Sequence, residues 1–214
     1  MPIDKKNKLL FVHIPKCGGT SINNIFNFKK KFKYLSGIDK ENRIQYNHLT
    51  LKQIKKFIKL KKYFSFSFVR NPFDKMVSEF FFRKSFENKN CILYLGQLDL
   101  QKLTFEEFIN KIFEVKLTHS LNRTFGEAHL VSQTKYLYVK GKLKIDFLGR
   151  FENYEKDLKK LLKKLKRKKG IELQEICHKN SSSHENYKNY YNSSTKKIIE
   201  KMYEDDLNNF NYVF

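Results

Sequence analysis

An apolar run that stops at a proline and continues at once into lysine, glycines and hydroxyl residues is the feature that most constrains the fold of this chain. Residues 9–26 read LLFVHIPKCGGTSINNIF. The apolar run predicts a short buried strand at 8–14, and the pattern after it predicts a helix at 20–30 that Thr20 or Ser21 opens. The N-terminal part of the chain is therefore expected to fold as a strand, a tight loop and a helix.

The loop of this unit, residues 15–21, has the composition of an anion-binding turn. Gly18 and Gly19 allow close approach of the backbone, the first N–H groups of a helix have no intrahelical acceptor, and Lys16 supplies positive charge. The loop is not a Walker A sequence, in which the lysine follows the second glycine. On these residues alone two interpretations stay open, a site for a phosphate-like group and an ordinary connection with a surface lysine.

A second loop with the same chemistry follows a second predicted strand. Residues 63–70, YFSFSFVR, alternate aromatic and small polar side chains, and a helix at about 72–87 follows with proline in its first turn. Arg70 at the end of the strand can grip a phosphate with two hydrogen bonds, while Ser78 can offer a hydroxyl from the helix. Two anion sites at neighbouring strand ends suit a nucleoside 3′,5′-bisphosphate.

Strands that alternate with helices along the chain predict an α/β fold with a central, largely parallel sheet flanked by helices. In such sheets ligands bind at the carboxyl ends of the strands, where both loops fall. At 214 residues the chain is expected to form a single domain, 1–214. The remaining predicted elements are a helix at 51–60, a capping box at 104–107 with a helix to about 114, a loop-like stretch at 118–134, strands at 136–140 and 143–151, a helix at 152–169 ended by Gly170, and a final helix at about 195–209.

The charge of the chain is strongly positive, with 44 Lys and Arg against 22 Asp and Glu, a formal net charge of +22. This balance favours polyanionic partners, whether nucleic acid, an acidic glycan or a polyphosphorylated cofactor, but does not choose among them. Much of the excess is lysine, which we interpret partly as coding bias. The lysine run at 159–169 predicts either a solvated helical face or a dedicated binding patch.

The cysteines give no sign of a disulfide framework or a zinc site. Cys17, Cys91 and Cys177 are odd in number and lack CxxC spacing, which favours a reducing compartment. The apolar run near the N-terminus is too short for a signal peptide, and no run of about 18 apolar residues occurs elsewhere. We expect a cytoplasmic protein without stable membrane insertion.

Four motifs in order give the chain a resemblance to a known family. They are HIPKCGGTS at 13–21, FSFVRNPFDKMVSEFFF at 66–82, DFLGRFENYEKDL at 146–158, and NSSSHENYKNYY at 180–191 before a C-terminal DLNNFNYVF. Together they resemble the PAPS-dependent sulfotransferases, in particular the carbohydrate/chondroitin-type group with its bacterial and viral members. The resemblance implies a P-loop-like domain that uses PAPS (3′-phosphoadenosine 5′-phosphosulfate), requires no metal, and sulfates a hydroxyl of a saccharide or glycan acceptor.

The resemblance also implies roles for individual residues. Lys16 is expected to neutralise the bridging oxygen as the sulfuryl group leaves, and the 3′-phosphate motif corresponds to Arg70 and Ser78. The thiol of Cys17 is interpreted as incidental, and Phe151 and Leu158 as core packing. The loop that binds the 5′-phosphosulfate corresponds to Lys16, Cys17, Gly18, Gly19, Thr20 and Ser21. The corresponding loop at 178–187 closes toward the nucleotide in the resembling proteins, and a flexible polar linker is its alternative.

The base that takes the acceptor proton needs a pKa near neutrality, which points to histidine. His48 lies between the two cofactor loops, where the resembling enzymes carry a histidine-bearing segment, and we predict it as the base. Glu79 and His13 are alternatives, and a purely structural histidine is another.

Two other functions fit parts of the sequence. A small nucleotide or metabolite kinase would use Lys16 and Arg70 on ATP, but no Walker B carboxylate is evident on a strand. A basic nucleic-acid-binding protein would use the charge together with 12 Tyr and 21 Phe, although these aromatic residues mostly follow core periodicity. We therefore expect no nucleic-acid partner. The sequence does not identify the acceptor.

Overall fold

The computed structural model of the protein describes residues 2–28, 38–39, 44–85, 102–118, 127–171 and 184–214. The chain divides into two compact units, of which the first comprises Met1–Arg70 and Lys135–Ser181 and the second Asn71–Thr134 and Ser182–Phe214. Cys91, Cys177 and residues 178–183 lie outside the described residues. The single domain expected over 1–214 stays a prediction.

The strands of the described chain belong to the first unit and form one larger sheet and two small hairpins. The larger sheet has the strand order β1 (Ile3–Asp4), β2 (Leu9–Phe11), β5 (Phe64–Val69) and β8 (Phe147–Arg150), in which β1 is antiparallel to β2, whereas β2, β5 and β8 run parallel. The predicted α/β fold with a central, mostly parallel sheet is thus confirmed. The strands are β1 (Ile3–Asp4), β2 (Leu9–Phe11), β3 (Ile38–Asp39), β4 (Ile44–Gln45), β5 (Phe64–Val69), β6 (Tyr138–Val139), β7 (Lys142–Leu143) and β8 (Phe147–Arg150).

The central strand β5 is buried along its whole length, including its serines. Buried hydroxyls need hydrogen-bond partners. The hydroxyl of Ser65 lies 2.9 Å from a carboxylate oxygen of Asp146, and that of Ser67 donates to the carbonyl of Val12 at 2.7 Å. The predicted alternation along β5 is present in side-chain type, but both faces of this strand are covered, as is typical of parallel sheets.

The helices alternate with these strands and continue into the second unit. They are α1 (Gly19–Ile25), α2 (Leu51–Ile54), α3 (Pro72–Lys84), α4 (Phe105–Thr118), α5 (Gln133–Leu137), α6 (Tyr154–Lys169), α7 (Ser193–Met202) and α8 (Glu204–Phe210). Short 3-10 turns occur at Tyr46–His48, Leu60–Lys62, Glu127–His129, Phe151–Asn153 and Tyr187–Tyr190.

Three helix ends agree with the sequence signals. The side chain of Asn71 accepts a hydrogen bond from the N–H of Phe73 and caps α3. Thr104 and Glu107 exchange the two hydrogen bonds of the predicted capping box before α4. Gly170 ends α6 with a left-handed backbone, φ 62°.

Other boundaries were predicted wrongly. The N-cap of α1 is Gly18 rather than Thr20 or Ser21, because its left-handed φ of 78° turns the chain into the helix. The helix predicted at 51–60 ends at Ile54. The next apolar residue, Phe57, is 45% exposed, so its burial would add little stability to a longer helix. The final predicted helix is two helices that meet at Tyr203, whose side chain is buried.

The strand predicted at 143–151 is divided in two. Its first part is β7, which pairs with β6 in a hairpin that turns through Lys140 and Gly141 with φ of 53° and 70°. The strand predicted at 136–140 is shortened to β6, because α5 extends to Leu137. Its second part is β8, which pairs parallel with β5 and extends the main sheet.

The second unit is held together by an aromatic and aliphatic core that α3, α4 and α7 share. α3 contributes Phe73, Met76, Val77 and Phe80, which are at most 6% exposed. Their partners are Phe105, Phe108, Ile109, Ile112, Leu130, Ile199, Met202 and Tyr203. Within the described residues, no helix is long and apolar enough to cross a membrane.

Candidate functional site

The carboxyl ends of three parallel strands meet at one edge of the sheet in the first unit. The pairing of Phe11 with Phe66 and of Val69 with Arg150 sets the register of these strands. The loop after β2, Arg70 after β5 and the turn after β8 consequently follow strand ends at the same edge. Ligands of open α/β sheets bind at this edge.

The loop after β2 carries left-handed backbone at two positions. Gly18 has φ 78° and Lys16 has φ 64°. Glycine adopts this conformation without steric cost, whereas a lysine in it costs about 1–3 kcal/mol and needs support from its surroundings. The conformation at Lys16 is therefore expected to depend on neighbouring contacts.

One such contact comes from Arg70, which is 4% exposed. Its Nη1 atom donates a hydrogen bond to the carbonyl oxygen of Lys16 at 3.1 Å. Its Cζ atom lies 4.1 Å from the centre of the Phe151 ring, within the range of a cation–π contact. The structure thus brings Lys16 and Arg70, predicted in separate loops, together in the first unit.

The two glycines are required by protein side chains that lie against them. A Cβ atom on Gly18 would lie 2.5 Å from Cε2 of Tyr154, and one on Gly19 would lie 1.9 Å from Nε2 of His13. The hydroxyl of Tyr154 also donates to the carbonyl of Gly18 at 3.1 Å. The glycines therefore admit side chains of the protein to the back of the loop.

Tyr154 is in its protonated form at neutral pH and can donate this hydrogen bond. Burial raises the pKa of Tyr154 to about 12, while a hydrogen bond with Ser21 acts in the opposite direction.

The side chains of the loop point in different directions. Cys17 is buried, and its thiol lies 3.5 Å from the carbonyl of Pro15. Ser21 is also buried and bonds to Tyr154. Thr20 is exposed and Lys16 is half-buried. Side-chain contacts to a ligand are thus open to Lys16 and Thr20, whereas Cys17 and Ser21 are expected to contribute backbone groups.

His48, the predicted base, lies in the 3-10 turn before α2 and is half-buried. Its Nδ1 atom lies 3.0 Å from the carbonyl oxygen of His13, and the two imidazole rings are 4.4 Å apart. His48 is thereby held beside the residue at which β2 leads into the loop. Both histidines, Lys16 and Arg70 belong to the first unit.

Ser78 and Glu79 lie on α3 in the second unit and are 2% and 1% exposed. The Glu79 carboxylate is bound by Nε of Arg83 and, at 2.8 Å, by Nδ1 of His129. Burial alone would raise the pKa of Glu79, but Arg83, His129 and Lys75 hold it well below its ordinary value. A carboxylate that is so strongly stabilised in its charged form is a poor proton acceptor, so the geometry disfavours the alternative of Glu79 as base.

Sequence reasoning missed the contacts that the FENY segment, Phe151–Tyr154, makes with the two loops. Leu158 is buried as predicted. Phe151 was predicted to be core but is half-buried and faces the Arg70 guanidinium. The only signal in the sequence was the FENYEKDL motif itself, which carries no recognisable chemistry.

No cluster of three or more His, Cys, Asp and Glu side chains that could hold a metal ion occurs among the described residues.

Comparison with protein families gives one assignment that spans nearly the whole chain. A family model described as the sulfotransferase family matches residues 1–213. Comparisons with curated proteins and with solved structures give no match.

Proposed function

This chain belongs to the sulfotransferase family, and from that premise we propose that it transfers a sulfuryl group from PAPS to a hydroxyl of a saccharide-type acceptor. The observation that carries the proposal is the contact between Arg70 and the carbonyl of Lys16 at the carboxyl edge of the sheet. It holds Arg70 against the loop that carries Lys16, which supports the proposal that the two predicted anion-binding loops bind one nucleotide.

The residues at this edge fit a nucleotide of that kind in charge and in donor type. Lys16 carries an ammonium group, Arg70 carries a guanidinium group, and Thr20 offers an exposed hydroxyl. Charge-assisted hydrogen bonds of this type are the strong ones in phosphate recognition. No carboxylate is part of this set.

Binding is divided between the two loops in the proposed complex. Backbone N–H groups of residues 17–21 and the Lys16 ammonium hold the 5′-phosphosulfate end. Arg70 holds the 3′-phosphate, with Ser78 as the second predicted ligand of that group. PAPS, when bound, supplies the activated sulfuryl group.

Lys16 and His48 carry the chemical roles. Lys16 offsets the negative charge that develops on the bridging oxygen as the bond to sulfur breaks, an effect that is large when the charged group is positioned beforehand. His48 accepts the proton of the attacking hydroxyl at Nε2, because its Nδ1 faces the carbonyl of His13.

The acceptor is proposed from charge as well as from family. A net charge of +22 favours anionic molecules, and acidic saccharides combine that charge with free hydroxyls. The kinase and nucleic-acid-binding alternatives are less favoured, because membership in the sulfotransferase family indicates sulfuryl transfer.

Nucleotide-dependent thermal stabilisation tests the cofactor. A ligand that binds only the folded state raises the melting temperature. We expect 3′-phosphoadenosine 5′-phosphate (PAP), without metal, to stabilise the protein more than AMP or ATP with Mg²⁺. Arg70→Ala should weaken the binding of PAP by roughly 1.5–3 kcal/mol, and it should weaken the binding of AMP, which has no 3′-phosphate, by less.

Arg167→Ala, which removes an exposed arginine of α6, is the matched control. Equal stabilisation by PAP and AMP would remove the case for a 3′-phosphate site. Transfer of labelled sulfuryl groups from PAPS to a panel of saccharides then tests the acceptor, and transfer to none of them would contradict that part of the proposal.

A further inference from the structure

The FENY segment contacts both predicted phosphate-binding loops, through the side chains of Phe151 and Tyr154, which are three positions apart. We propose that Phe151 and Tyr154 are positioning residues, Phe151 for the guanidinium of Arg70 and Tyr154 for the loop at Gly18. The inference rests on the proposed function, and it assigns each end of the nucleotide to a different residue of one short segment.

Phe151 supports Arg70 from one side. The guanidinium carbon lies 4.1 Å from the ring centre, and Nη1 donates to the carbonyl of Lys16. An aromatic face restricts a planar guanidinium to a narrow range of orientations while leaving its edges available for hydrogen bonds. Phe151 is half-buried, so its ring is not needed mainly to fill the core.

Tyr154 supports the loop in a different way. Its hydroxyl donates to the carbonyl of Gly18, and its ring occupies the space that a Cβ atom on Gly18 would need. The ring is itself fixed, because it is 6% exposed and lies 5.0 Å from the ring of Phe68 in β5. Since Gly18 is the N-cap of α1, this contact fixes the peptide from which the helix starts.

The segment is anchored to the sheet at its start. Arg150, the last residue of β8, donates its backbone N–H to a carboxylate oxygen of Asp157 at 3.0 Å. This bond spans the FENY segment and fixes the turn that leads into α6. Phe151 and Tyr154 are thus presented from a rigid support, as positioning residues require.

Two conservative substitutions separate the two roles. Phe151→Leu removes the aromatic face but keeps an apolar side chain, and Tyr154→Phe removes the hydroxyl but keeps the ring above Gly18. Phe151→Leu should weaken the binding of PAP by about 5- to 30-fold. It should weaken the binding of adenosine 5′-phosphosulfate, which has no 3′-phosphate, by less than about twofold. Tyr154→Phe should weaken the binding of both nucleotides by the same factor, about 3- to 10-fold.

The experiment is a double-mutant cycle on nucleotide affinity, measured by calorimetry with PAP and adenosine 5′-phosphosulfate. Wild type, Phe151→Leu, Arg70→Ala and the double variant are compared. If Phe151 acts through Arg70, Phe151→Leu has no further effect on PAP affinity once Arg70 is alanine. Phe147→Leu and Tyr136→Phe, which change other rings of the first unit, are the matched controls.

The outcomes distinguish the two levels of the proposal. Loss of the Phe151 effect in the Arg70→Ala background, a PAP-selective loss of affinity in Phe151→Leu and equal losses for both nucleotides in Tyr154→Phe support the positioning roles. Additive effects, or equal losses for both nucleotides in Phe151→Leu, overturn the role of Phe151, and unchanged affinities in Tyr154→Phe overturn that of Tyr154. Failure of the wild type to bind PAP overturns the proposed function, and the positioning roles with it.

Discussion

The Nδ1 atom of His48 lies 3.0 Å from the carbonyl oxygen of His13, and this contact determines which ring nitrogen of His48 can accept a proton. A carbonyl oxygen only accepts hydrogen bonds, so Nδ1 must carry the hydrogen. In the neutral imidazole the lone pair is then on Nε2. The structure thus supplies the tautomer that a general base at His48 would need.

The first prediction concerns His48 and the pH dependence of transfer. His48→Asn keeps an N–H donor that can reach the carbonyl of His13 but removes the basic nitrogen. We expect most transfer to be lost, by about 10²–10⁴-fold, with PAP affinity retained. The wild-type rate should fall as the pH is lowered through the range in which histidines take up a proton, between about pH 5 and 8. Turnover against pH, with calorimetric PAP affinity in parallel, measures both.

An active His48→Asn enzyme with the same acidic limb would move the base elsewhere, first to His13. Loss of PAP affinity in this variant would instead indicate that His48 supports the loop. The amide of asparagine does not titrate, so the variant separates proton transfer from positioning.

The second prediction separates binding from chemistry at Lys16. The charge that this lysine is proposed to offset develops only as the sulfuryl group departs. Lys16→Ala should therefore lower turnover by a factor on the order of 10²–10³ and reduce the affinity for PAP by a much smaller factor. Steady-state kinetics with PAPS and calorimetry with PAP give the two numbers.

Lys140→Ala is the matched control for this variant. Lys140 is exposed and also has a left-handed backbone, with φ 53°. It therefore reports the cost of replacing a lysine in that conformation away from the sheet edge. If the turnover of Lys16→Ala is within a few-fold of that of the control, Lys16 has no role in the chemical step.

The sequence predicted the features of the fold that are encoded locally. The strand before Arg70, the loop at Lys16 and the cap at Gly170 follow from periodicity and from residue types over a few positions. The sequence predicted that Gly18 allows close approach of the backbone, but not that Tyr154 packs against it, because Tyr154 is 136 positions away in sequence. Phe151 was taken for core, since an aromatic residue after a strand has no local feature that distinguishes packing on a guanidinium from packing in the interior.

The boundaries show the same limitation. The helix predicted at 51–60 matched the apolar spacing, but Phe57 is left exposed and the helix ends at Ile54. Tertiary burial rather than periodicity sets such an end. The buried carboxylate of Glu79 also could not be interpreted from the sequence, because His129 comes from a distant segment.

The third prediction concerns the charged cluster around Glu79 in the second unit. Glu79→Gln removes the buried carboxylate that Arg83 contacts and should cost about 3–5 kcal/mol of unfolding free energy at neutral pH. Glu114→Gln, which removes a surface partner of Lys111 with a side chain 62% exposed, should cost less than about 1 kcal/mol. Urea denaturation of the two variants and wild type measures the difference.

The sign of the pH dependence follows from the lowered pKa of Glu79. The unfolded chain takes up this proton near the ordinary glutamate value of about 4.3, whereas the folded protein takes it up only at lower pH. The stabilisation by Glu79 is therefore fully present above that value and is lost as the pH falls below it. The gap between wild type and Glu79→Gln should shrink below about pH 4, and a gap that stays constant to pH 3 would contradict this account.

The last prediction uses two glycines with the same backbone and different surroundings. Gly18 and Gly170 have φ of 78° and 62°, but a Cβ atom would meet Tyr154 at 2.5 Å in the first case and nothing within 4 Å in the second. Gly170→Ala should cost only the backbone term, roughly 1–2 kcal/mol. Gly18→Ala should cost about 1–3 kcal/mol more, because the buried ring of Tyr154 cannot move aside without strain. In a Tyr154→Leu background the extra cost should disappear and the two alanine variants should lose equal unfolding free energy. If Gly18→Ala remains the more costly change there, the strain comes from the loop itself and not from Tyr154.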